Sequence, residues 1–316
     1  MTVKNKDQEV KDQALNTLLN NIFIENRRNR RWSNFFKIVT FLYLFILLFI
    51  FLAKPGDQMN TSGDFTALVK LNGIISSESD INAEDAIKSL QKAMKNDGTK
   101  GLIISINSPG GSPVQSAMIN DEIKRLKLIY PQKPIKVVVE DVCASGGYFI
   151  AVAADDIYAN KSSIVGSIGV LMNGFGFDQA IEKLGIERRL MTAGKNKGIL
   201  DPFQPVDPAQ MKHVQQLLDE VHQQFIAAVK EGRGDRLSED QSIFSGLFWN
   251  GESAYKLGLI DGFGTVSSIA KDVIGYEKVI DFTSYETFAD RFAKKLGAGI
   301  GSVLHSQIIN KNYQLN

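Results

Sequence analysis

Cysteine, histidine and net charge are all scarce in this chain. Cys143 is the single cysteine, so no intrachain disulfide can form and the redox compartment stays unspecified. Its place two residues before Ser145 invites a thiol nucleophile, but a lone cysteine reads better as a small buried hydrophobe. Only three histidines are present: His213 and His222 in one long helical pattern, and His305 near the C-terminus. None stands at a strand end or in a glycine-rich turn, so each reads as a surface or helix-face residue and no histidine base is evident. The net charge of +1 hides an asymmetry. Residues 1–37 carry eight Lys/Arg against four Asp/Glu, whereas residues 38–316 carry 28 against 31. No basic stripe survives outside the N-terminal segment, which excludes a nucleic-acid binder.

What the chain does have is one long apolar run, residues 35–53. At about 1.5 Å per residue it spans roughly 28 Å, close to the hydrocarbon thickness of a bilayer. Arg27, Arg28, Arg30 and Arg31 precede it and Trp32 suits an interfacial anchor. The positive-inside rule then expects residues 1–34 in the cytoplasm and residues 54–316 across the membrane. The long preceding segment and the absence of a small-x-small site after Ala53 favour an uncleaved signal anchor over a cleaved signal peptide. Within residues 10–24, Ala14, Leu15, Leu18, Leu19, Ile22 and Phe23 share roughly one helical face, suited to lying on the membrane or pairing with a second copy.

Residues 54–64 read as a polar linker. Strand-like runs follow at 65–75, 102–106, 135–139, 156–158, 165–171 and 188–191, with helical patterns between them at 83–94 and 114–128. Such alternation expects an α/β domain with largely parallel pairing, over residues 65–280. Asp207-Pro208 opens a long helix to about residue 231, with Met211, Val214, Leu218, Val221, Phe225 and Val229 on one stripe. Residues 281–316 form a tail of undefined order.

Two strand–glycine pair–helix junctions carry the chemistry. One is Asn107-Ser108-Pro109-Gly110-Gly111-Ser112, after an apolar run. The other is Ala144-Ser145-Gly146-Gly147-Tyr148. A serine at such a junction sits near a helix N-terminus, where free N–H groups and the dipole favour a developing oxyanion. Two junctions meeting in one small volume would supply two backbone donors, near Gly111 and at Gly146. Taken alone, each junction is equally a turn or an N-capping serine. A serine nucleophile also needs a base, and a lysine serves when its ammonium is desolvated. Lys197 and Lys195, in Gly194-Lys195-Asn196-Lys197-Gly198, are the candidates, and local pattern does not separate them.

The segments NSPGGS (107–112), ASGGYFIAVAADDIYAN (144–160), SIVGSIGV (163–170), GKNKGILDPF (194–203) and FWNGESAYKLGLIDGFG (248–264) together resemble the signal peptide peptidase A family in its short, single-unit form. The resemblance covers roughly residues 65–275. It implies a ClpP/crotonase-like α/β fold with parallel-rich sheets and flanking helices, preceded by one transmembrane helix. It further implies a membrane-bound serine protease in which Ser145 is the nucleophile, Lys197 rather than Lys195 the general base, and Gly111 and Gly146 the oxyanion donors. Ser167 matches a hydroxyl that orients the lysine amine, though a turn serine fits its spacing as well.

The resemblance implies no metal or cofactor. The substrates it implies are hydrophobic membrane peptides, chiefly remnant signal peptides, cut at the extracytoplasmic side of the bacterial inner membrane. Double-length relatives place lysine and serine in different units, so a single-unit chain is expected to form a homo-oligomeric ring with its dyad shared between neighbours. Two other classes remain open on sequence: a crotonase-type acyl-CoA hydratase or isomerase, which would need acidic catalytic residues and no anchor, and a non-enzymatic membrane scaffold.

Overall fold

The computed structural model describes residues 3–52 and 62–284, which fall in two units. In the first, Val3–Leu52 form one continuous helix, α1. The amphipathic stretch, the arginine cluster and the apolar run are therefore one rod of about 75 Å. Its window Ile22–Phe49 has a mean hydropathy of 1.7 and is wholly unburied, which makes it long and apolar enough to cross a membrane.

The second unit is a mixed α/β domain with the expected parallel-rich sheet. Its elements run β1 Phe65–Asn72, α2 Ala83–Lys95, β2 Thr99–Ser108, α3 Pro113–Ile129, β3 Ile135–Ala144, α4 Gly146–Ala151, β4 Asp156–Ala159, β5 Ile164–Gly166, α5 Asp178–Lys183, α6 Pro208–Arg233, β6 Phe248–Asn250, α7 Gly251–Lys256, β7 Gly262–Phe263 and β8 Val279–Asp281. The sheet order is β6-β5-β3-β2-β1-β8, with β4 beside β3 and β7 beside β4. Every pairing is parallel except β5 with β6.

Both sheet faces are covered, which explains why β2 is apolar almost without alternation. One face packs Val69, Ile104, Val137, Leu90, Ile119 and Phe225 into the main core. The other packs Leu68, Ile103 and Val138 against Ile269 and Ala270. The helix starts follow local chemistry. Asn82 accepts from the Asp85 N–H at 2.9 Å ahead of α2, and Asp207 from the Ala209 N–H at 2.8 Å ahead of α6, where Pro208 occupies the first turn.

The central strand β3 is shared. Lys136–Val138 pair with β4, and Val142–Ala144 pair with β5. The strand thus runs beyond the expected 135–139 and ends immediately before Ser145. Two expected strands are corrected. The run at 165–171 stops at Gly166, because Gly166 and Ser167 both take positive φ (112° and 52°), which breaks the pleat. The run at 188–191 has no strand partner among the described residues; Arg188 is tied to Asp201 at 3.1 Å and Met191 is 95 % exposed. β6, β7 and β8 are two or three residues long, too short for a periodic signal. Phe282, beyond β8, is buried and stacks on Phe65 with ring centroids 5.9 Å apart. Residues 285–316 of the expected tail 281–316, and most of the linker 54–64, fall outside the described residues.

The C-terminal end of α6 is fixed by a buried ion pair. Arg233 donates to both carboxylate oxygens of Asp261 at 2.7 and 2.9 Å, and to the Gly258 carbonyl at 2.8 Å. Asp261 also accepts from the Ile157 N–H and from Arg236. Burial pushes the Asp261 carboxyl up, but Arg233 and these other donors outweigh it and hold the group below its ordinary value. A lowered folded pKa stabilises the fold above the unfolded value, and that stability disappears as pH falls through the folded value. Arg233→Met is expected to cost about 3 kcal/mol at neutral pH, because it strands a buried carboxylate. Urea unfolding should show this loss, and the difference from wild type should shrink in acid.

Candidate active site

Ser145 occupies the turn from β3 into α4 with φ 50° and ψ −122°, a conformation costly for any residue with a Cβ. The turn is held from both sides: the Ser145 N–H donates to the Gly166 carbonyl at 2.8 Å, and the Ser145 carbonyl accepts from the Phe149 N–H at 2.9 Å. Although Ser145 stands at the N-cap position, its hydroxyl makes no capping hydrogen bond. An N-capping serine would use its hydroxyl and an extended backbone; this one does neither. Ser145 is half-buried and its hydroxyl is left free of any capping role.

The two glycine junctions meet as expected. Ile75 pins the first by donating to the Gly110 carbonyl at 2.9 Å and accepting from the Ser112 N–H at 2.8 Å. A Cβ on Gly110 would lie 2.8 Å from both the Gly146 nitrogen and the Ser145 Cβ, and one on Gly146 would lie 3.3 Å from the Gly111 nitrogen. Only glycines permit this approach. Among the described residues no hydrogen bond engages the Gly111 or Gly146 N–H. Two free amide donors therefore lie within a few ångströms of the serine, the arrangement an oxyanion requires.

Ser145, Gly111, Gly146 and Ser167 all line one groove of about 950 Å³, walled by α3 on one side and α6 on the other. Ser167 takes φ 52° and its N–H is held by the Leu247 carbonyl at 2.7 Å. Lys197 is not brought to this groove. It is exposed on the segment between α5 and α6, where its N–H closes a turn onto the Gly194 carbonyl at 3.0 Å. Lys195, two residues earlier, is exposed too. Among the described residues lining the groove there is no lysine or arginine. Cys143 is fully buried, and desolvation pushes its thiol well above the ordinary range, so it remains a protonated hydrophobe.

The sequence reading set all three histidines aside, yet His222 is half-buried in the groove wall. Its position four residues after Leu218 and three before Phe225 puts it beside the apolar stripe of α6, which is the signal that was available. Asp121 on α3 and Asp219 on α6 also line the groove, as does the buried Ser116.

The sequence profile of peptidase family S49 matches residues 128–278. A protein from Methanocaldococcus jannaschii, named as a protease, is 32 % identical over 229 residues, which span 69 % of this chain and 73 % of that one. The chain belongs to peptidase family S49. Another S49-type relative, named as a signal peptide peptidase in Enterococcus faecium, is 28 % identical over 69 % of this chain and 66 % of its own length. A Brucella abortus protein named as the Na(+)/H(+) antiporter NhaA is 49 % identical over 186 residues, 59 % of this chain. The matched region spans a quarter of that protein's length.

Proposed function

We propose that this S49 chain is a membrane-anchored serine endopeptidase acting through a Ser145–Lys197 dyad. The observation that carries the reading is the strained, uncapped Ser145 beside two unengaged glycine amides in a single groove. Neutral Lys197 takes the Ser145 proton, and the oxygen attacks a peptide carbonyl. The resulting oxyanion is held by the Gly111 and Gly146 N–H groups. The protonated lysine then gives its proton to the leaving amine, and water resolves the acyl-enzyme. Ser167, on the same groove, orients the lysine amine.

A lysine becomes a base by losing water, and within one chain Lys197 is exposed. Covering by a neighbouring copy would both desolvate it and bring it to Ser145, which supports a homo-oligomeric ring with the dyad shared between chains. Exposed Leu171 and Phe175 before α5, and Leu184 and Met191 after it, give such a contact apolar area. The groove offers an apolar lining from Val114, Met118, Val170, Leu171 and Phe225, which suits hydrophobic peptides such as remnant signal peptides. Helix α1 anchors the chain in the bacterial inner membrane, with Arg27, Arg28, Arg30 and Arg31 on the cytoplasmic side and the catalytic domain outside it.

The test of the chemistry is full-length protein in detergent, incubated with a hydrophobic peptide and a serine-directed phosphonate. Cleavage that stops as one phosphonate adds to Ser145 is expected; cleavage unaffected by a phosphonate on Ser145 would remove the reading. Topology is tested separately. A reporter fused after residue 60 should read as extracytoplasmic and one near residue 20 as cytoplasmic, with the full chain retained in carbonate-washed membranes. Release of a form beginning near Lys54 would show cleavage in place of anchoring.

A further inference from the structure

We infer that His222 is a positioning residue for the serine, an inference that rests on the peptidase reading above. Its Nε2 lies 3.1 Å from the Ile168 carbonyl oxygen. A carbonyl only accepts, so Nε2 carries the proton and donates.

The strand end it holds is tied to its neighbours by main-chain bonds as well. The Gly166 carbonyl accepts from the Ser145 N–H at 2.8 Å, and the Ser167 N–H donates to the Leu247 carbonyl at 2.7 Å. Three consecutive residues thus bond three separate elements: the nucleophile turn, the loop before β6, and α6 through His222. Gly166 and Ser167 both have positive φ, and the strained Ser145 leans directly on Gly166. Such a run keeps its shape only when its neighbours determine it. The Ile168 side chain is buried in the core and fixes the far end, so the remaining variable is the tilt of the peptide plane that carries its carbonyl. His222 fixes that tilt. It also sets the groove wall, because α6 is otherwise pinned at this height by Phe225, whose ring centroid is 5.1 Å from that of Phe149 in α4. The imidazole therefore acts through Gly166–Ile168 on the placement of Ser145 and Ser167.

The experiment compares full-length wild type, His222→Leu, His222→Gln and His222→Glu on one hydrophobic peptide, with active serines counted by phosphonate titration. Gln keeps an N–H donor, whereas Leu removes it and Glu, of the same shape as Gln, offers only acceptors. A misplaced reacting group slows turnover, so kcat per titrated serine should fall about 10-fold or more in Leu and Glu, with KM changed by less than about threefold. Gln should return to within about threefold of wild type. A merely structural histidine would lower the number of titratable serines and leave kcat per serine unchanged, and that result overturns the inference. So does Gln as slow as Leu, or Leu and Glu as fast as wild type. If His222→Leu does not fold, the Gln and Glu pair decides alone. Wild type that neither cleaves nor titrates would instead remove the peptidase reading itself, a different failure.

Discussion

Ser145→Ala is expected to lower peptide cleavage at least about 1,000-fold while leaving the urea midpoint close to wild type, because loss of a nucleophile leaves only the background of binding and the oxyanion donors. The fold should persist because the Ser145 hydroxyl caps nothing; the turn is held by main-chain bonds to Gly166 and Phe149. Ser145→Gly sharpens the point. Glycine adopts φ 50° without a Cβ penalty, so this variant should be inactive and yet more stable by about 1 kcal/mol. Cys143→Ala should keep activity within a few-fold, since the thiol is buried and protonated. Ser145→Ala activity within a few-fold of wild type would take the residue out of the mechanism.

Lys197→Ala is the second large effect: cleavage should drop about 1,000-fold, because a neutral hydroxyl without a base is a poor nucleophile. Lys195→Ala should stay within a few-fold. Both lysines are exposed in the chain and differ by two positions, so the proposed dyad between chains predicts a contrast that exposure within one chain does not. The reverse pattern would make Lys195 the base. Peptide cleavage per titrated serine is the measurement, so that lost protein is not mistaken for lost chemistry.

The parts of this molecule set by local chemistry were legible in the sequence. Asp207-Pro208 ahead of α6 and the apolar run of β2 each announce their element, one through a cap and the other through an unbroken hydrophobic stretch. The glycine pairs at 110–111 and 146–147 were legible too, since close backbone approach needs glycine and here an added Cβ on Gly111 would lie 2.1 Å from the Ile75 carbonyl oxygen. What could not be read depends on tertiary neighbours. Residues 188–191, read as a strand, find no sheet edge among the described residues, and β5 ends early because Gly166 and Ser167 turn to meet Ser145 and Leu247. His222 escaped notice because its partner is a main-chain carbonyl 54 residues away. The choice of Lys197 came from resemblance alone, since nothing in the chain's own packing selects it.

The most direct measurement is cleavage by co-assembled Ser145→Ala and Lys197→Ala chains. Each chain carries one lesion, so no chain can complete a dyad by itself, whereas adjoining chains of the two kinds can. Each variant alone should be silent, and the mixture should recover a substantial share of wild-type cleavage in proportion to mixed contacts. A silent mixture, in oligomers shown by mass to contain both variants, would contradict a dyad built between Ser145 of one chain and Lys197 of the next.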